Sequence, residues 1–202
     1  MKIKVCGMRE AGNIREVAEL GPDFMGFIFY KRSPRYVGED FVMPVLPEGT
    51  RKTGVFVKEP VENVLGLARQ YGLDYVQLHS DETPEYCEEI KHTGLKILKA
   101  FAIDAAFDFE QLKAFEGKAD YFLFDTKGDG YGGHGKTFDW EILSKYTLDT
   151  PFFIAGGISN DNIGELLKYN HPMFKGVDVN SRYEVSPGVK DVEALRKMFF
   201  NF

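Results

Sequence analysis

The strongest constraint on this chain is an alternation that repeats eight times. Short apolar or alternating runs with the character of strands are each followed by a segment with helical spacing or a helix start signal. Residues 2–6 alternate polar and apolar side chains, as a strand does when its two faces differ. Residues 24–30 form a continuous apolar run, the pattern of a strand covered on both faces. Residues 52–57, 73–79, 95–101, 120–125, 151–155 and 174–179 complete the set of expected strands. Helices are expected over residues 13–20, 38–46 (weakly), 60–71, 85–91, 107–115, 138–146, 159–168 and 191–199. Gly21-Pro22 and Gly72 read as helix stops, Pro60 suits a first turn, and Ser159 suits an N-cap.

Eight strand–helix units in 202 residues allow about 25 residues each, which predicts a compact (β/α)8 TIM barrel. The expectation is a single domain over residues 1–202, with an open doubly wound sheet as the rival if two strands are misread. There is no linker, low-complexity tract or strong internal repeat. Phe occurs 18 times, so much of the packing between layers should be aromatic. A net charge of −6 argues against a nucleic-acid surface or an anionic membrane, both of which call for a basic stripe. Cys6 and Cys87 lack metal or disulfide spacing, which points to a reducing cytoplasm. His92, His134 and His171 are scattered, so no metal site is expected. No run is long enough to span a membrane, and residues 1–6 do not read as a signal peptide.

In a barrel of this kind, chemistry collects at the carboxyl ends of the strands. The stretch from Tyr121 to Trp140 has that form: an apolar run ending in Asp125, then a loop with Gly128, Gly130, Gly132, Gly133 and Gly135. The other strand ends supply Cys6, Tyr30 with the basic loop that holds Arg35, His79, Gly156-Gly157, and Asp178 to Ser181. Strand alternation puts Lys4 on the face of Cys6, Gln77 on that of His79, and Asp178 on that of Asn180, while Phe124 points away from Asp125. Taken singly, each has a plain structural role open to it: Cys6 as a small buried hydrophobe, His79 bonded to backbone, Arg35 as surface charge, Gly156-Gly157 as a turn. A purely structural barrel has no need of polar inward groups gathered at one end. Phosphate is the first ligand expected, at Gly156, Gly157, Asn180 and Ser181, because barrels bind it after strands seven and eight with backbone N–H groups.

Lys4-Val-Cys-Gly7, Gly26-Phe-Ile-Phe, Ser33-Pro-Arg35, Gln77-Leu-His79, Phe124-Asp-Thr126, Gly132 to Trp140, Ala155-Gly-Gly-Ile158, Asp178-Val-Asn-Ser181 and Pro187-Gly-Val-Lys-Asp191 together resemble the phosphoribosylanthranilate isomerase family. The likeness runs from the first strand to the last helix. It implies a (β/α)8 barrel in tryptophan biosynthesis that carries out an Amadori rearrangement of N-(5-phosphoribosyl)anthranilate with no cofactor. It also implies Cys6 as general base, Asp125 as general acid and Arg35 as the holder of the anthranilate part. His79 and Asp178 are further expected substrate contacts. The partner is thus a small-molecule substrate, with no nucleic acid and no membrane. Two positions depart from the family pattern: His134 in the glycine-rich loop, and Arg182 where many members have glycine.

The residues fit that chemistry on their own terms. Opening a ribose ring needs a proton on the ring oxygen, and Asp125 can supply it; removing the C2 proton suits a Cys6 thiolate. At reference values of about 8.5 and about 3.9, only about 10^−4.6 of the protein holds both in the required state, a cost of roughly 6 kcal/mol. The site is therefore expected to draw the two values together when substrate is bound. Phe122 and Phe124 would raise Asp125, and Lys4 with the basic loop would lower Cys6. Rival readings are another phosphate-binding barrel enzyme, such as an epimerase or a thiamin-phosphate-type synthase, and a non-catalytic sugar-phosphate-binding barrel.

Overall fold

A computed structural model of the chain describes residues 1–126 and 139–201. The glycine-rich loop, with Gly128 to Gly135 and His134, lies outside the described residues. Eight strands run β1 (Lys2–Val5), β2 (Phe24–Ile28), β3 (Arg51–Phe56), β4 (Tyr75–Leu78), β5 (Lys96–Ile103), β6 (Tyr121–Thr126), β7 (Phe152–Ile154) and β8 (Phe174–Val179). Each pairs in parallel with the next, and β8 pairs with β1 to close the barrel. This is the expected (β/α)8 architecture, not the open sheet.

Period-two alternation in a closed sheet produces two nested cores. Inside the barrel, Phe24, Tyr75, Leu98, Leu123 and Phe153 pack together, with Tyr121 at the edge. Phe24 meets Tyr75 and Phe153 edge to face, with ring centroids 5.1 and 5.5 Å apart. Outside, Phe122, Phe124 and Phe152 face Tyr146 and the helical layer. The many phenylalanines thus serve both layers.

The helical layer is thinner than the alternation predicts. The α-helices are α1 (Ala11–Ala18), α2 (Val61–Tyr71), α3 (Pro84–Lys91), α4 (Ile163–Leu166) and α5 (Val192–Phe199). Pro60 stands at the N-cap of α2, just before the first turn, and Gly72 closes it at φ 58°. The helix expected at 38–46 is absent: that stretch has no regular structure. Pro44 and Pro47 remove donors that a helix needs, and β-branched Val42 and Val45 are left exposed. The segments after β5 and β6 are 3-10 helices, Phe109–Phe115 and Trp140–Lys145. Each begins at an aspartate, Asp108 or Asp139, whose side chain accepts from the N–H two residues on at 3.0 Å and winds a tight turn. Ser159 does not cap a helix to residue 168. Its N–H donates instead to Asn162 Oδ1, and α4 starts after Asn162.

One device sets the floor of the barrel. Asp23, Asp74 and Asp120 stand immediately before β2, β4 and β6. Each accepts, at 2.8 Å, from a backbone N–H near the start of the preceding strand: Ile3, Lys52 and Ile97 respectively. Asp74 and Asp120 return the contact through their own N–H groups to the carbonyls of Lys52 and Ile97. The carboxylates therefore satisfy donors that have no ladder partner and pin the register of three strand pairs. Asp120→Ala, which strands the donor of fully buried Ile97, is expected to cost about 1.5–3 kcal/mol in a urea unfolding experiment. A loss below about 0.5 kcal/mol would show that the contact does not hold the register.

Candidate active site at the barrel mouth

The inward residues at the carboxyl ends of the strands surround a cavity that opens to solvent. Cys6, Arg35, His79, Asp125, Gly156, Gly157, Asp178, Asn180 and Ser181 all line it. Among the described residues no cluster of His, Cys, Asp and Glu is arranged to hold a metal ion. Cys87 lies elsewhere, fully buried on α3, its thiol pushed up to about 11 by burial. His171 has a structural task, with Nδ1 accepting from the N–H of Met173 and Nε2 on the Tyr146 carbonyl.

Beneath the cavity Lys4 and Asp178 form a buried ion pair, Nζ to Oδ2 at 2.9 Å. They are Cα partners in the β1–β8 pairing, so the register itself places them side by side. The second oxygen of Asp178, Oδ1, is buried without a partner among the described residues and belongs to a residue that lines the cavity. Burial pushes the Asp178 carboxyl up, with Lys4 opposing. For Lys4, burial alone would lower the ammonium, but Asp178 and Cys6 outweigh it and the net shift is upward.

Cys6 follows β1 and keeps the pairing for one more step, its N–H donating to the Val179 carbonyl at 2.9 Å. Lys4, on the same strand face, acts on the thiol electrostatically. Gly26 makes room for it: a Cβ on that residue would stand 2.7 Å from Sγ. Burial pushes the Cys6 thiol up, and Lys4 and Lys190 offset this only in part. The expected downward shift is therefore not what the protein alone provides. Of the basic side chains of that loop only Arg35 lines the cavity; Lys31 pairs with Glu39 at the surface. The second cation near the thiol is Lys190 instead.

Asp125 faces His79 across the mouth, Oδ2 to Nε2 at 3.4 Å. Gln77, two residues before His79 on the same face, places its amide nitrogen 2.7 Å from His79 Nδ1 and so orients the ring. The loop beyond His79 is fastened by Glu82, which accepts from Ser80 N–H, Lys58 N–H and Lys99 Nζ. Phe122 and Phe124 lie on the outer side of β6 and do not wall the Asp125 carboxyl. Its close neighbour is Gly156, at φ +83°, where a Cβ would sit 2.7 Å from Asp125 Oδ1. Gly156 thus lets the chain pass over the acid, besides any part it has on the rim.

Arg35 reaches the cavity from the loop after β2, its N–H fixed on Ser33 Oγ. Its guanidinium is held by Glu184, Nε and Nη2 each on Oε2 at 2.9 and 2.7 Å. Glu184 also accepts from Lys190, which donates in turn to Asn180 Oδ1. The sequence expectations give neither Glu184 nor Lys190 a role, although Lys190 lies in the Pro187-Gly-Val-Lys-Asp191 stretch. They belong to a small hairpin, β9 (Glu184–Ser186) and β10 (Val189–Lys190), whose charged residues read as solvated loop. A further sequence signal was their place beside Asn180 and the Pro187-Gly188 turn.

A thiol and a carboxyl of separate strands, a guanidinium on one side and a glycine-rich rim on the other can grip an anionic, carboxylated ligand and move protons on it. The model of the N-(5'phosphoribosyl)anthranilate (PRA) isomerase family matches residues 3–201. The N-(5'-phosphoribosyl)anthranilate isomerase of Parabacteroides distasonis is 46% identical over 203 residues, covering 97% of this chain and 90% of that protein. The crystal structure of phosphoribosyl anthranilate isomerase from Thermus thermophilus superposes with a TM-score of 0.82 at 27% identity, covering 99% of this chain and 97% of that one. A phosphoribosyl anthranilate isomerase in complex with reduced 1-(o-carboxyphenylamino)-1-deoxyribulose 5-phosphate gives 0.78 at 26% identity, covering 100% and 97%. Sequence and fold agree: this chain belongs to the N-(5'-phosphoribosyl)anthranilate isomerase family.

Proposed function

We propose that this chain isomerises N-(5'-phosphoribosyl)anthranilate to 1-(2-carboxyphenylamino)-1-deoxyribulose 5-phosphate, an acid–base step of tryptophan biosynthesis, with residues 1–202 acting as one catalytic domain. The observation that carries it is the single cavity lined by Cys6, Asp125 and Arg35 together with Gly157 and Ser181. The related structure holds a carboxyphenylamino-deoxyribulose phosphate, a molecule with the three handles these groups suit: an aryl carboxylate, a sugar and a phosphate. Among the described residues no acceptor takes the N–H groups of Gly157 and Ser181, which supports a phosphate there. The cytoplasm is the setting that fits. Both cysteines are free, and among the described residues no helix is long and apolar enough to cross a membrane.

The chemistry follows from the groups in place. Asp125 gives a proton to the ring oxygen, the C1–O bond breaks, and the nitrogen lone pair forms C1=N⁺. The Cys6 thiolate then takes the C2 proton, and the C2–H electron pair moves into a C1–C2 double bond as the iminium nitrogen is neutralised. The resulting enolamine gains a proton at C1 while its C2 hydroxyl loses one to become the ketone. Atoms and electrons balance within the substrate, and the iminium beside the sulfur favours the thiolate at the moment it is needed. His79 and Asp178 bound the sugar region from β4 and β8, with the unpartnered Asp178 Oδ1 able to accept from a sugar hydroxyl.

Turnover of the ribosylanthranilate, followed by the fall of its fluorescence, tests the function directly. Cys6→Ala and Asp125→Asn are each expected to lower kcat by about 10²–10⁴-fold while circular dichroism remains native. Near-normal turnover by either variant removes that residue from the mechanism. A pH profile tests the protonation states. The productive form pairs an ionised thiol with a protonated carboxyl, and thiols titrate above carboxyls. Between the two titrations each rise in pH ionises as much thiol as it deprotonates carboxyl, so kcat/KM is level. Above the thiol's pKa only the carboxyl loss remains and kcat/KM falls. Because burial raises Cys6, that alkaline fall is expected above the usual thiol value of about 8.5. A fall centred at or below that value would contradict the assignment.

A further inference from the structure

The Glu184 carboxylate lies behind the cavity wall and has no part in the chemistry above. Its side chain is 5% exposed and gathers several donors. Arg35 bonds it through Nε and Nη2, Lys190 Nζ lies 2.7 Å from Oε1, and the Gly188 N–H donates at 3.1 Å. Lys190 Nζ also donates to Asn180 Oδ1 at 2.7 Å. One buried anion thus joins the loop after β2, the end of β8 and the β9–β10 hairpin. Gly7 allows the three to meet: at φ +75°, a Cβ there would lie 2.7 Å from Asn180 Oδ1 and 2.9 Å from Arg35 Cδ.

A guanidinium offers a carboxylate two bidentate edges, Nε with Nη2 and Nη1 with Nη2. Glu184 occupies the first. Arg35 lines the cavity and Glu184 does not, so the protein carboxylate lies behind the fork and the other edge remains for a ligand. Two cations share the one anion, which leaves a net positive charge beside the rim. Burial raises the cost of the Glu184 carboxylate, yet Arg35 and Lys190 hold it below its ordinary value, so the hub stays ionised across neutral pH.

We propose that Glu184 is a positioning residue for aryl-carboxylate recognition: it takes the rear edge of Arg35 and fixes the forward edge for the substrate carboxylate. This rests on Arg35 being the carboxylate contact. A fork already held in place loses less side-chain freedom when the ligand arrives, which raises affinity without touching the reacting atoms. The signature is a rise in KM with kcat preserved.

The test is a double-mutant cycle read in KM, kcat and the inhibition constant of free anthranilate. Glu184→Gln is expected to raise KM and the anthranilate constant about tenfold, while kcat stays within about threefold. Placed in an Arg35→Ala background, the same change should add nothing further. An unchanged anthranilate constant in Glu184→Gln, with Arg35→Ala weakened, overturns the role of Glu184 alone. So does an effect of equal size with and without the Arg35 side chain. An unchanged constant in Arg35→Ala itself means that the carboxylate binds elsewhere, and both readings fall. If Glu184→Gln does not fold, because two buried cations have lost their counter-charge, Glu184→Gln with Lys190→Met keeps a single cation on the neutral amide and is read in the same cycle.

Discussion

The pair of Lys4 and Asp178 is the contact on which the barrel mouth depends. Both groups are almost wholly removed from water, and neither is tolerable there alone. Their opposition is a product of the β1–β8 register, so the step that closes the barrel also neutralises its most buried charges. Two residues beyond Lys4, Cys6 donates its N–H to the carbonyl of Val179, the residue after Asp178. A slip of one position in that pairing would turn Lys4 into the helical layer and take the thiol out of the cavity. Thermodynamic closure and chemical geometry are therefore one constraint at this seam.

Around that seam the three carboxylates of the mouth are given different work by their surroundings. Asp178 is matched to Lys4 by one oxygen, and the other has no partner among the described residues. Glu184 is saturated by Arg35, Lys190 and a backbone donor, so it holds neighbours in place. Asp125 is the more open of the three, touched by an imidazole that Gln77 orients and roofed by a residue with no side chain. Similar groups within one small volume thus sit in three different electrostatic settings according to which donors reach them.

Most strands were legible as short apolar runs covered on both faces, and β1 by its polar–apolar alternation. Period-two reasoning from their last residues then collected the lining of the cavity, since in a closed barrel the inward face has nowhere else to point. The helical layer was harder to read. Its outer surface is wet, and residues 38–46 carry apolar side chains that pack on the barrel without helical backbone: Phe41, Met43 and Leu46 touch the core from an irregular chain. Asp108 and Asp139 turned expected α-helices into 3-10 turns through a local hydrogen bond that no hydrophobic pattern reveals. Glu184 and Lys190 escaped notice for a different reason. A charged residue in a hairpin looks solvated until the fold brings its partner from some 150 positions away, as Arg35 is brought to Glu184 at a separation of 149. For the Cys6 thiol the cations nearby and a buried position were both legible, but not that burial outweighs the cations in the protein without ligand.

The closing seam also dictates an order of events during synthesis. Lys4 and Asp178 are 174 residues apart in the chain. At ribosomal rates of about 5–20 residues per second, the lysine waits roughly 9–35 s for its counter-ion to be made. Until then the first strand carries an ammonium that cannot be buried, and the growing sheet is held open at that edge. Long-range pairing of this kind is the slow part of folding. The wait places the thiol, the buried pair and the ring of strands in a single late event, so a nascent chain acquires its shape and the setting of its thiol together, and only after the eighth strand has emerged.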